Sequence, residues 1–482
     1  MRGVISYAAY LPHRRLDRTT IAAVAGTGGG KGTRSVASYD EDTTTLGVEA
    51  ARLALRSTTA TPDALWFSTV APAYSDKTNA TAIHAALQLG DDVIAADFGG
   101  AVRSGVAALR SALIAGPNTL LVSSDIRTGL PGSSDEAAGG DAGAALLVGD
   151  DSNGSDVAVL AELIGSASAT DEFLDRWRTP GDSRSKQWEE KFGENRYVEL
   201  GTKAFKAALA NAGIDAERVD CLVVAGTHGR ACKAVVRKLG VDSAKVLDDR
   251  SGLIGNPGAA QPAMLLAAAL DSAKAGQIIV LLSLADGADA LVLRTTDAIK
   301  SFDPARPFDE QVQAGAPVPY GKFLAWRGHL SPEPPRRPEP ARPSASAASR
   351  NEDWKFGFVG AKDRSTGAIH LPPSRVSMQG GAVDDMEPIP MADVQGTIAT
   401  YTIDKLVYSP SPPVVFAIVD FDGGGRAPIE LTDVDPKAVR IGDRVEMTFR
   451  KLFTADGIHN YFWKARPVAS TNTAGNDEST EA

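Results

Sequence analysis

From residue 1 to about residue 300, short β-branched and apolar runs alternate with alanine-rich amphipathic stretches. The runs are Val4–Tyr7, Ala64–Val70, Thr119–Ser123, Ala144–Val148, Cys221–Val224 and Ile278–Ser283. Apolar runs of strand length separated by helix-period segments predict strands crossed by helices, and so a large α/β domain. The stretch AADFGGAVRSGVAAL, residues 95–109, shows the pattern most sharply. An apolar run from Val93 to Ala96 passes through Asp97 and a glycine turn into small residues at helical spacing as far as Leu109. This places Val102 at a buried helix N-terminus, a position that stabilises anions and thiolates. Valine makes no use of that. A strand and helix around 93–115 also correspond to a strand and helix around 221–240, each followed by an apolar strand and a glycine-rich segment, so the zone reads as two similar halves.

The alternation stops at EPPRRPEPARPSASAASR, residues 333–350, whose proline, arginine and serine cannot build a core. Such a composition predicts an extended linker, assigned to 333–353, between a first domain at 1–332 and a smaller second region. From 392 to 468 the pattern becomes closely spaced strands (Val394–Ile403, Val414–Phe421, Arg444–Leu452, His459–Ala465) broken by turn signals such as DGGG at 422–425. A small all-β barrel is predicted. The final stretch, 469–482, is polar enough to be expected as a disordered tail.

Composition narrows the function classes. Forty-three per cent hydrophobic and 23% charged residues over a chain of 482 describe an ordinary globular protein. The start, MRGVISYAAYLPHRR, has no continuous apolar segment of the signal-peptide kind, and no window approaches the roughly 18 uninterrupted apolar residues of a membrane span. The expected location is cytoplasmic, with no membrane partner. A net charge of −10 argues against a nucleic-acid partner, which calls for a concentrated basic surface. Two cysteines, Cys221 and Cys232, are too few for a disulfide framework or a four-cysteine zinc site.

Four stretches, in order, carry a resemblance: GVISYAAYLP at the start, VASYDEDTTTLGVEAARLAL at 36–55, SSDIRTGLPGSSDEAAGGDAGAALLVGD at 123–150, and DEFLDRWRTPGD at 171–182. Together they resemble the 3-hydroxy-3-methylglutaryl-CoA synthase branch of the thiolase superfamily. The resemblance implies a duplicated α/β/α/β/α sandwich, usually dimeric, that condenses acyl-CoA thioesters. It also implies a cysteine that carries the acyl group, a glutamate as acid and base, and a histidine that positions the second thioester.

All three positions hold other residues here. Matching Asp97, Ala101, Gly105 and Ala108 to the D-x-x-x-A-C-x-x-G-x-x-A pattern puts Val102 at the cysteine. The glutamate falls on Val70 of FSTVAPAY, and the histidine, with Gly229, Lys238, Leu239 and Gly240 matched, on Ala225. An offset register does not restore the thiol, because no cysteine precedes Cys221. Valine and alanine neither form thioesters nor move protons, and losing nucleophile and acid/base together removes covalent catalysis. The segment GLIGNPGAAQPAMLLAAAL, 252–270, survives, and its Asn256 matches an asparagine used near the thioester carbonyl; it serves equally well as a turn residue.

The stretch from about 354 to 465 resembles the zinc-ribbon and OB-fold modules that accompany enzymes of this branch. PPSRV at 372–376 is kept, while the four knuckle cysteines of the ribbon, 354–391, read Asp363, Thr366, Ser377 and Gly380. The expectation is a ribbon without zinc ahead of an intact OB-fold.

Other candidates weigh less. His228 and Cys232, four apart, could face one another as a Cys–His pair; the competing reading has Cys232 filling core space, and Cys221 as a buried, inert thiol. GTGGGKGT at 26–33 lacks phosphate-loop spacing and reads as a loop. Asp40, Glu41 and Asp42 read as helix capping rather than a metal cluster. Arg336, Arg337 and Arg342 read as a solvated spacer, with contact to a CoA phosphate as the sharper alternative. The leading function is a degenerate synthase-like auxiliary subunit, with no covalently bound cofactor and CoA or acyl-CoA as ligand. It would form a homodimer through the thiolase-like domain and a hetero-oligomer with a thiolase-type enzyme that carries the missing cysteine. The alternatives are an active condensing enzyme with non-standard catalytic residues, and a plain acyl-CoA binder.

Overall fold

The computed structural model describes residues 1–151 and 157–468, so the tail expected at 469–482 lies outside the described residues. The chain divides into two compact units, Met1–Glu333 and a second that begins at Pro334.

Nine strands form one mixed sheet in the first unit: β1 (Arg2–Tyr10), β2 (Ala64–Thr69), β3 (Ile94–Gly99), β4 (Thr119–Ile126), β5 (Asp141–Asp150), β6 (Ala161–Ala169), β7 (Cys221–Gly226), β8 (Ile278–Leu284) and β9 (Ala288–Thr295). The spatial order is β7-β8-β9-β6-β1-β5-β4-β2-β3. The order repeats outward from the centre. On one side β1 pairs antiparallel with β5, β5 antiparallel with β4, and β4 parallel with β2. On the other, β6 pairs antiparallel with β9, β9 antiparallel with β8, and β8 parallel with β7. The halves join where β1 meets β6, at Gly3↔Glu162 and Val4↔Ala161.

Helices complete the layers. α1 (Thr43–Arg56) covers the first half, with Asp42 at its N-cap in a reciprocal capping box with Thr45. The capping expectation for this acidic run therefore holds at Asp42, while Glu41 accepts from the Tyr10 hydroxyl and the Ser38 N–H. α2 (Ala80–Ala86) follows β2, and α3 (Arg103–Ile114) follows β3. In the second half α4 (Glu190–Ala212) lies outside, α5 (Gly229–Val236) follows β7, and α6 (Gln261–Asp271) is almost wholly buried. Ile279 and Leu281 of β8 pack in one core with Val106 and Leu109 of α3 and Met264 and Leu266 of α6. The alternate residues Val280 and Leu282 pack on the other face with Leu200, Phe205 and Leu209 of α4. Period-two strands thus feed two cores, with α3 and α6 as the shared middle layer.

The duplication is real, but its partners differ from those the sequence suggests. β7 with α5 is the counterpart of β2 with α2, and α6 is the counterpart of α3. The strand that would match β3 has shrunk to one parallel bridge, Leu222↔Val246. A pattern reading therefore pairs 93–115 with the next visible strand and helix.

The second unit holds a three-stranded sheet and a closed barrel. The sheet consists of β10 (Val359–Asp363), β11 (Ile369–His370) and β12 (Met386–Pro390). The barrel consists of β13 (Gly396–Asp404), β14 (Val414–Phe421), β15 (Arg426–Leu431), β16 (Arg444–Ala455) and β17 (Ile458–Pro467), closed by the parallel pair Leu431↔Ala465. β15 escapes a pattern reading because proline and charge interrupt its apolar run. Inward alternation fills the barrel with Val415, Ala417 and Val419 against Ile429, Phe449 and Trp463. The linker is extended only in part: after Pro343, Ala345–Arg350 and Glu352–Lys355 form short helices. With no proline between Pro343 and these helices, the alanines there are free to turn.

Candidate functional site

The carboxyl ends of β2, β4 and β7 meet the N-terminus of α3 around an open cleft of about 420 Å³. Asp125, near the end of β4, organises this end of the sheet. Its Oδ1 accepts from Thr69 Oγ1 at 3.0 Å and from the Val70 N–H at 2.9 Å, while Oδ2 accepts from the Ala259 N–H at 2.8 Å. One buried carboxylate thus ties the end of β2 to the segment leading into α6, and burial pushes its pKa up despite those donors. Asp97 in β3 accepts from the backbone N–H groups of Asn79 and Ala80 at 2.7 and 2.8 Å, holding the start of α2. Gly100, at φ 97°, then makes the turn that brings Val102 to the N-cap of α3, where no side chain caps the helix.

The structure brings Val70 and Val102 together on the wall of this cleft. Ala225 is not there. It is fully buried within β7, opposite Ser283, and Thr227, two residues on, lines the cleft instead. Asn256 lines an adjoining niche of about 30 Å³ that shares Arg127, Arg176 and Thr227 with the cleft. Both of its amide hydrogens are committed, to Gly226 O at 2.8 Å and Gln261 Oε1 at 3.0 Å, and its Oδ1 accepts from the Gly258 N–H at 2.9 Å. Its visible work is to hold the turn.

The Cys232–His228 pair does not form. His228 is the N-cap of α5: its Nδ1 accepts from the Ala231 N–H at 3.1 Å, and its Nε2 lies 3.0 Å from Glu190 O. The Cys232 thiol points to Gly226 O at 3.8 Å, and burial pushes its pKa up to about 12. Capping turns the imidazole away from the thiol, and a thiol so buried is no nucleophile near neutral pH. Burial raises Cys221 likewise, to about 11.

The charged face of the cleft, made by Arg127, Arg176 and Arg178, is absent from the sequence-based candidates. Arg176 donates through both terminal nitrogens to Asp135, and Arg178 donates to Val70 O. A signal is present, since SSDIRTG and DRWR fall within the resembling stretches, yet nothing local tells these arginines from surface ones. The lining includes Tyr197, Asp182 and Asp286, and neither a cysteine nor a histidine occurs among the described lining residues.

In the second unit the four ribbon positions converge. Asp363 is buried; its Oδ1 accepts from the Ser365 N–H and hydroxyl at 2.8 and 2.7 Å, and its Oδ2 from Thr366 Oγ1 at 2.7 Å. Hydrogen bonds from Ser377, Ser365 and Thr366 hold its carboxyl well below the usual carboxylate range. A side chain at Gly380 would begin 3.0 Å from Thr366 Cγ2 and 3.7 Å from Asp363 Oδ2. The four positions lie together, but one carboxylate, two hydroxyls and a glycine do not fit the thiolate and imidazole preference of structural zinc.

Residues 209–294 match the family described as 3-oxoacyl-[acyl-carrier-protein] synthase III C terminal, and residues 389–450 the family described as ChsH2, C-terminal OB-fold domain. The hydroxymethylglutaryl-CoA synthase of Thermococcus sibiricus is 32% identical over 310 residues, spanning 62% of this chain and 87% of that protein. The chain belongs to the hydroxymethylglutaryl-CoA synthase family. A second relative of the family, from Pyrococcus furiosus, is 31% identical over 338 residues, spanning 67% of this chain and 95% of that enzyme. Among solved structures, an HMG-CoA synthase complexed with CoA superposes with TM-score 0.56 at 16% identity, over 67% of this chain and 89% of that one. Synthase III from Aquifex aeolicus gives 0.52 at 18%, over 61% of this chain and the whole of that one. At these identities the likeness establishes the fold. This family member therefore joins a thiolase-like unit to a small all-β OB-fold unit.

Proposed function

We propose that this member of the synthase family is catalytically degenerate and acts as an auxiliary subunit. It binds a thiolase-type acyltransferase that carries the catalytic cysteine, and its OB-fold unit helps form that enzyme's acyl-CoA site. The observation that carries the reading is the pairing of Val70 with Val102 in a cleft whose described lining contains neither cysteine nor histidine. Loss of thiol and acid/base together leaves shape without covalent chemistry. CoA or acyl-CoA is the expected ligand, supported by the related fold solved with CoA. Docking is supported by β3, an edge strand whose Ile94 is 64% exposed. Where no thiolase occupies it, the same edge suits a homodimer, a cytoplasmic location belongs to the same proposal, and the hydroxyl-filled ribbon suits a metal-free module.

The relatives are named as synthases, which favours the contrary reading of an active condensing enzyme, so the test separates the two. The chain is incubated with labelled acetyl-CoA, weighed intact, and then co-expressed with each cysteine-bearing thiolase of the same genome. The expected result is no added acetyl group and co-elution in size-exclusion chromatography. A stable acetyl adduct, or separate elution at micromolar concentration with unchanged thiolase activity, overturns the proposal.

A further inference from the structure

The cleft lining holds a carboxylate, Asp286, that no other side chain engages among the described residues. We propose that Asp286 is a general base that activates water, so that the cleft hydrolyses an acyl-CoA thioester without forming an acyl-enzyme. This goes beyond the subunit reading and rests on one part of it, acyl-CoA as the ligand.

Asp286 stands at the apex of the three-residue turn between β8, which ends at Leu284, and β9, which begins at Ala288. Its φ of 45° lies in the left-handed region, which side chains rarely adopt. Neighbours hold it there from both sides. Arg103 Nη1 donates to the Asp286 carbonyl at 2.8 Å, and the Asp286 N–H donates to the Tyr197 hydroxyl at 3.4 Å. Gly287, at φ 128°, permits this approach, since a Cβ there would lie 2.6 Å from Arg103 Nη1. Arg103 directly follows Val102, so the turn is tied to the N-terminus of α3. Its other nitrogens are also committed, Nε to Asp289 Oδ2 at 2.8 Å and Nη2 to Thr170 Oγ1 at 3.0 Å. The guanidinium therefore fixes the backbone of Asp286 and leaves the carboxylate to the cleft. A residue pinned in a rare conformation beside a cleft is the kind of outlier that points to function.

The charges around it favour a base. Desolvation by the cleft walls pushes the Asp286 pKa up, Arg103 opposes this, and Asp175 and Glu172 add to it. The remaining charged groups of the lining are occupied elsewhere: Asp182 accepts from Thr179, Arg176 donates to Asp135, Arg178 to Val70 O, and Arg127 faces Asp125. In the proposed step a water oxygen bonds to the thioester carbonyl carbon while Asp286 takes a proton from that water. The tetrahedral adduct then collapses, the C–S bond breaks, and Asp286 returns the proton to the leaving sulfur. The products are a carboxylic acid and the CoA thiol. No protein atom is acylated, which agrees with valine at position 102, and the N-terminus of α3, which no side chain caps, favours the transient negative charge.

The test follows CoA release from acetyl-CoA and butyryl-CoA by the full chain in heavy-oxygen water, with binding measured calorimetrically on a thioether analogue that cannot be hydrolysed. The expected result is CoA release with solvent oxygen in the acid, and a kcat at least about a hundredfold lower in Asp286→Asn and Asp286→Gly. The Kd for the thioether stays within about twofold in both. The wild-type kcat rises with pH through an acid limb that the variants lack. Glycine suits a φ of 45° at least as well as aspartate, so Asp286→Gly stands in if the asparagine variant fails to fold. The proposal is overturned if the wild type releases no CoA above the blank, or if both variants keep the wild-type kcat. Thioether binding without CoA release removes the general base and leaves acyl-CoA as the ligand, whereas absence of binding removes both. Co-elution with a thiolase decides the subunit reading separately.

Discussion

The backbone that carries Val70 and Val102, the positions to which the sequence resemblance assigns a carboxylate and a thiol, is fixed by Asp125, Asp97 and the Gly100 turn. At both positions valine offers only apolar surface to the cleft. Asp363 has the opposite character, a buried carboxylate met by its own set of donors. Its carboxylate is held in the ionised form by hydroxyl and amide donors, Ser377 foremost, so its folded pKa lies below that of an unfolded aspartate near 3.9. The stabilisation it gives is fully present above that unfolded value and is lost as pH falls from there through the folded one. Carbon-detected NMR titration is expected to find the Asp363 carboxyl depressed and Ser377→Ala to raise it. An unchanged value in the variant would remove Ser377 from the cluster. Elemental analysis giving about one zinc per chain would in turn overturn the placement of all four ribbon positions.

α3 illustrates how packing overrides propensity along an element. On an isolated helix, replacing Gly105 by alanine would stabilise by about 1 kcal/mol. Here an added Cβ would sit 2.6 Å from the Ala259 carbonyl oxygen, on the segment leading into α6. Overpacking of this kind costs about 1–3 kcal/mol, so the sign reverses. Gly105→Ala is expected to lower the urea midpoint, whereas Ser111→Ala, on the exposed face of the same helix, should leave it nearly unchanged. A stabilised G105A would mean that α3 and the Ala259 segment are free to separate, and with them the frame around Val102.

The sheet of the first unit ends at β3, which is paired on one side by β2. Buried strands at its centre contrast with the exposed residues of this one, Ile94 at 64% among them. An unprotected edge with an apolar side chain is a template for another chain, and a charge placed on it is a known deterrent. Ile94→Lys is expected to leave far-ultraviolet circular dichroism unchanged while shifting the protein to smaller species in size-exclusion chromatography, alone or mixed with the thiolase-type partner proposed above. Assembly that survives the substitution would place the contact on another surface.

Local pattern determined a good deal by itself. Strand-length runs, the capping aspartate before α1, the glycine turn before α3 and the alternation of the barrel strands all arise from interactions within a few residues, which sequence periodicity records directly. The short motifs around Val70 and Val102 were legible for the same reason, because each is fixed by its own strand end. Tertiary structure alone decided the rest. Arg127 and Arg176 reach one cleft with Val70, Val102 and Thr227 only because the order of the strands brings five separate strand ends and loops together. The same packing buried Ala225 inside β7, turned His228 into a cap away from Cys232, and reduced the counterpart of β3 to a single bridge at Val246. A contact between residues a hundred positions apart depends on which surfaces the folded layers bring face to face, and no short window of sequence contains that choice.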